Sequence, residues 1–76
     1  MTHKQVGKKI RRLREGRGWN QWDLAKKLKV KQATISDWER GEHLPGIPRL
    51  RKLARIFGIT EAEMLTPDAD TDLVAV

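Results

Sequence analysis

Residues 20–41, NQWDLAKKLKVKQATISDWERG, read as two short helices separated by a tight turn. Gln21 opens the first helix, and Leu24, Ala25 and Leu28 follow at i+3, i+4 and i+7, on one apolar face. Val30, two residues after Leu28, breaks that phase and marks the turn; Ile35 and Trp38 resume the helical period. Ala25 is small enough to let the two helices approach closely. Asn20 fits an N-cap with Asp23 three residues on, a weaker form of the capping box. Gly41 fits the C′ position that stops the second helix. A plain αα-hairpin is the bland alternative, but the polar residues left over on the second helix are unusual for one.

Outward from this pair the chain reads as all-α, with five helices and no strand in its body. The first helix is expected from about His3 to Glu15, with Thr2 as N-cap. Val6, Ile10 and Leu13 form its apolar stripe, and Lys4, Lys8, Lys9, Arg11 and Arg12 cover the remainder. Gly16 to Gly18 break it. Helices two and three cover Gln21 to Leu28 and Gln32 to Arg40. A loop from Glu42 to Ile47 contains Pro45 and Gly46; Pro48 then suits the first turn of a fourth helix reaching Phe57. Its inner face is Leu50, Leu53, Ala54 and Phe57, and Gly58 ends it. Thr60, with Glu63 three residues on, caps a short fifth helix whose Met64 and Leu65 are expected to face inward.

Seventy-six residues allow one domain with a small core. The reading is a domain over residues 1–66 and an acidic, flexible tail over 67–76, with no effector or cleavage domain. There is no cysteine, and the two histidines, His3 and His43, lack ligand spacing, so neither a disulfide nor a metal or other cofactor is expected. No apolar run suits a membrane span or a signal peptide, which points to the cytoplasm. No constellation of side chains suggests an enzyme.

The net charge of +6 hides a strong asymmetry. All 16 Lys and Arg lie in residues 1–60 with five acids, giving +11; residues 61–76 hold the other five acids and no base, giving −5. A basic body suits a polyanion, and the acidic end must face away from it. A solvated charged surface explains the composition equally well; the helix pair tips the reading to double-stranded DNA.

The stretch and its flanks resemble the lambda-repressor-like helix-turn-helix family, the Xre and Cro/cI type of phage and bacterial regulators. The matching residues are Gly7, Ile10, Arg14, Asn20-Gln21, Leu24-Ala25, Leu28, Ile35, Trp38 to Gly41, Pro45, Leu50, Leu53-Ala54 and Phe57-Gly58, spread over residues 4–65. The resemblance implies a compact five-helix domain with the helix-turn-helix in helices two and three. It implies a sequence-specific transcriptional regulator, most simply a repressor, that inserts helix three into the major groove as a homodimer on a palindromic operator. An antitoxin-like chain that neutralises a partner protein and binds its own operator is the rival function. RNA binding finds no aromatic platform in the sequence.

On helix three, Ile35, Trp38 and Glu39 turn inward, leaving Gln32, Ala33, Ser36 and Asp37 for base edges. Gln32 can pair bidentately with adenine, Ala33 can touch a thymine methyl, and Ser36 can donate or accept. Asp37 can accept from cytosine or can exclude unfavourable sequences. Lys31 and Arg40, at the helix ends, suit phosphates. Gln21 matches the family's phosphate-contacting glutamine, and the start of helix four near Arg49 offers a further phosphate site. Arg14 and Glu39 match the family's buried ion pair between helices one and three. Ile59, Met64 and Leu65 are the expected dimer interface, and the apolar end LVAV is read as a disordered tail before a strand, an arm or a protease signal.

Two residues depart from the family pattern. Lys29 stands where glycine is usual, and a left-handed backbone there costs a lysine about 1 kcal/mol. Trp22 stands where the residue is often small or polar. It is expected to pack against helix one or four, with an exposed contact surface as the alternative. Trp19, where the family is usually apolar, is expected in the core.

Overall fold

The computed structural model describes residues 2–66, and the tail assigned above to residues 67–76 lies outside them. Five helices follow in order: α1 (His3–Gly16), α2 (Gln21–Leu28), α3 (Gln32–Arg40), α4 (Ile47–Phe57) and α5 (Glu61–Met64). No strand occurs among the described residues. The helix starts follow their caps. Thr2 and Gln5 form a reciprocal capping box on α1, Asn20 and Asp23 form one on α2, and Thr60 Oγ1 accepts the Glu63 N–H on α5. Ile47 already belongs to α4, so Pro48 sits one place into the first turn, where its missing N–H costs no helical bond.

α1 lies along α3, α2 packs on α3 and α4, and α5 packs on α4 and α1. The apolar stripes meet in one core of Val6, Ile10, Leu24, Leu28, Ile35, Trp38, Leu50, Leu53, Phe57 and Met64, with Ala25 and Ala54 buried among them. Trp19 packs on this core from its edge, stacked on Phe57 at 5.9 Å, with the Lys27 ammonium 4.6 Å over its ring.

Four expectations need correction. Trp22 does not pack on α1 or α4; 66% of it is exposed, because it flanks the apolar face of α2 and no helix among the described residues covers that flank. Met64 is fully buried in the core and cannot present a dimer surface, whereas Leu65, expected inward, is 44% exposed. A one-turn helix leaves its phase open, and Met64 alone points at α4 and α1. Lys9, expected on the solvent face, is buried, and its ammonium donates to the Thr66 carbonyl at 3.0 Å, fastening α1 to the end of α5. Arg17 makes a similar fastening that the sequence did not disclose, donating to the Phe57 carbonyl at the end of α4.

The turn between α2 and α3 explains one departure. Lys29 caps α2 with φ 58° and ψ 46°, in the left-handed region that favours glycine. Its N–H and that of Val30 return to carbonyls of the last turn of α2. The side chain is exposed, so nothing in the core holds it there. Lys29→Gly should therefore raise stability by about 1 kcal/mol, read as a higher melting temperature. A lower melting temperature would overturn the account of the turn.

Candidate nucleic-acid interface

α3 is anchored from behind by an ion pair. Arg14 on α1 meets Glu39 on α3 in a two-pronged contact, Nε to Oε2 at 2.7 Å and Nη2 to Oε1 at 3.0 Å. The side chains are only 10% and 4% exposed. A third donor, Nη1, reaches the Trp19 carbonyl at 2.7 Å. The Glu39 hydrogen bond is the main reason Arg14 is held above its already high ordinary pKa. Burial pulls the other way, and the charges of Glu39 and Glu15 add to the upward shift. A raised pKa means that this contribution is complete below the unfolded value and is lost only in strong alkali.

The carboxylate also organises the surface. Glu39 Oε1 accepts from Gln21 Nε2 at 3.1 Å, and Gln21 Oε1 accepts from Gln32 Nε2 at 2.6 Å. A carboxylate only accepts, so Gln21 must turn its NH2 toward Glu39 and its oxygen toward Gln32. Gln32 must then turn its own NH2 toward Gln21. Its carbonyl oxygen and one remaining N–H stay available at the outer surface of α3. The structure thus joins two residues expected to contact DNA, Gln21 and Gln32, to the buried pair behind them. Sequence reasoning did not foresee the Gln21–Glu39 bond, because it depends on the crossing of α2 over α3.

Ala33 is exposed, and Ser36 and Asp37 are half-buried on the same side of α3. Asp37 is occupied within the chain: it pairs with Arg40, and His43 Nδ1 lies 3.7 Å from its Oδ2. Arg40 also reaches Glu42 at 3.3 Å. A phosphate would have to draw Arg40 from two carboxylates, exposed contacts that hold it weakly. Lys31 is the N-cap residue of α3 and makes no side-chain cap bond; Gly46 caps α4 without a side chain. Arg49 is exposed on the first turn of α4. No group of side chains suited to a metal ion occurs among the described residues, and no helix among them is long and apolar enough to cross a membrane.

A family model described as helix-turn-helix matches residues 10–64, most of the chain. The chain belongs to the lambda-repressor-like helix-turn-helix family. An uncharacterised helix-turn-helix transcriptional regulator, y4dJ of Sinorhizobium fredii, is 32% identical over 68 residues, covering 90% of this chain and 88% of the relative. The transcriptional activator BcrR of Enterococcus faecalis is 32% identical over 62 residues, 82% of this chain and 30% of BcrR. The chain spans 30–39% of the length of the first curated relatives it matches. Among solved structures, the DNA-binding domain of the P22 c2 repressor superposes with a TM-score of 0.76 at 29% identity, covering 86% of each chain. Members of this family are DNA-binding regulators, not enzymes.

Proposed function

We propose that this chain is a sequence-specific transcriptional regulator of double-stranded DNA, a repressor that sets α3 into the major groove as a dimer on a palindromic operator. The observation that carries the reading is the ordered line from Glu39 through Gln21 to Gln32. It leaves Gln32 with one acceptor and one donor at the surface, the complement of adenine N6 and N7. Ala33 and Ser36 stand beside it for a thymine methyl and a polar base edge. Asp37, already paired with Arg40, favours the excluding role over direct contact with cytosine. Gln21, Lys31, Arg49 and, after release from its acids, Arg40 serve phosphates, which fix register without choosing sequence.

One α3 covers few base pairs, and a two-fold dimer doubles the site. Ile59, partly buried, and Leu65, exposed, are the apolar residues that α5 and the preceding segment offer to a second copy. Met64 has no part in it. Repression needs only that the bound dimer block polymerase, and the likeness to the P22 c2 repressor domain favours that sign.

Selection from random duplexes at near-physiological salt tests the reading. The expected product is an inverted repeat with half-site centres about one helical turn apart. Gln32→Ala should then cost about 1–3 kcal/mol at one adenine per half-site and relax preference there alone. Salt-sensitive binding with no enriched motif would overturn sequence-specific regulation. The recovered operator, placed before a reporter, decides the sign: expression falls for a repressor and rises for an activator.

A further inference from the structure

The corrected position of Trp22 exposes a surface that borders two of the proposed base-reading residues, Gln32 and Ala33. Its exposed indole walls an open groove between α2 and the start of α3, floored by Ala25, Val30 and Ala33. The lysines of the rim are Lys26, Lys29 and Lys31, all exposed. Elsewhere on the surface, Arg11, Arg40 and Arg51 each have a carboxylate partner. Among the described residues, no carboxylate pairs with any of these three lysines. The groove is therefore apolar inside, cationic at its rim and continuous with Gln32 and Ala33, which also line it.

We infer that this groove seats the sugar–phosphate strand flanking the bases read by α3, with Trp22 packed on deoxyribose and the lysines on phosphates. The inference rests on the proposed DNA-reading role of α3 and extends it to Trp22 on α2 and to a stretch of DNA beyond the bases that α3 reads. Charge complementarity and continuity select the occupant. A polyanion follows directly from a lysine rim without acids, and a strand that meets Gln32 and Ala33 must pass the adjoining groove. Deoxyribose supplies the apolar surface that an indole needs, without dependence on base identity, so Trp22 lengthens the site without adding letters to it. Phosphate contacts by Lys26 and Lys29 add affinity and salt dependence in the same way.

The test uses the full chain and the operator recovered by selection, in two duplexes: one trimmed at the edge of the enriched motif, one extended by about half a helical turn on each side. Trp22→Ala should bind the extended duplex about tenfold more weakly, the scale of one indole losing its apolar contact, and should match the natural protein on the trimmed one. Trp22→Phe, which keeps an aromatic face, should recover most of the loss. Lys26→Gln should lower the slope of log affinity against log salt by about 0.9, on the extended duplex only. Trp22 lies outside the core, so an unchanged melting curve separates these effects from folding.

Equal affinity of Trp22→Ala and the natural protein for the extended duplex overturns the inference and leaves the groove to a protein ligand. Equal loss on both duplexes also overturns it, since the tryptophan would then act within the base-read site. If the natural protein enriches no motif at all, the DNA-reading role itself fails, a result distinct from either.

Discussion

Glu39→Ala should destabilise the domain by about 3–5 kcal/mol, enough to leave a chain of this size largely unfolded near body temperature. The size of the effect comes from what remains. Arg14 would keep its charge at a nearly buried site, with only the Trp19 carbonyl as partner. Its two contacts to Glu39 would be gone. Gln21 would also lose its acceptor, so the line to Gln32 would no longer have a fixed direction. Glu39→Gln gives the graded case. The amide oxygen can still accept from Arg14, but the NH2 faces a guanidinium that only donates, so the loss should be smaller and still clear.

Removing both charges separates the value of the pair from the cost of stranding one member. Arg14→Met with Glu39→Leu fills similar volume without an ion and should recover most of the stability lost in Glu39→Ala. It should not recover operator affinity, because Gln21 and Gln32 would still lack the carboxylate that orients them. Chemical denaturation of the three variants, with binding measured on those that fold, checks both statements. A melting curve unchanged by Glu39→Ala would sink the structural role; operator binding unchanged in the folded double variant would sink the orienting role.

The helices were legible because their signals are local. Asn20 with Asp23, Thr2 as an N-cap, and Gly41 and Gly58 at left-handed ends place boundaries within a residue or so. The i, i+3, i+4 spacing of Leu24, Ala25 and Leu28 identifies the buried face. The Arg14–Glu39 contact was reached through family resemblance; inward phase alone would have left two charges with no stated partner. What escaped depends on tertiary arrangement. Trp22 flanks the apolar face of α2, and periodicity does not say whether a neighbour covers that flank. Lys9 is long enough to leave its face and reach the Thr66 carbonyl, a bond that only the placement of α5 determines. Met64 and Leu65 differ by one step of about 100° around a single turn, too short a run to fix a phase.

The packing of α1 on α3 should be intolerant of a single methyl group at Gly7. A Cβ placed there would collide with the Trp38 carbonyl oxygen and lie 2.7 Å and 2.9 Å from the Glu39 carbonyl oxygen and carbon. All three are backbone atoms within a helix, so no rotamer change relieves the clash; the helices must part or slide. Overpacking of this kind costs about 1–3 kcal/mol and more where backbone resists, against about 1 kcal/mol gained from alanine's helix propensity. Since every clashing atom is backbone, the upper end of that range applies, and the expected net result for Gly7→Ala is a loss of roughly 2 kcal/mol. Gly16→Ala is the matched control in the same helix, since nothing lies within 4 Å of its would-be Cβ; it should leave stability unchanged or raise it by about 0.5 kcal/mol. The damage at Gly7 should also reach beyond stability. Any widening between α1 and α3 draws Arg14 from Glu39, so Gly7→Ala and Glu39→Ala should combine less than additively, as residues sharing one contact do. Additive losses would show that α3 keeps its place against Arg14 when α1 is pushed away, and that the close backbone approach is separate from the ion pair.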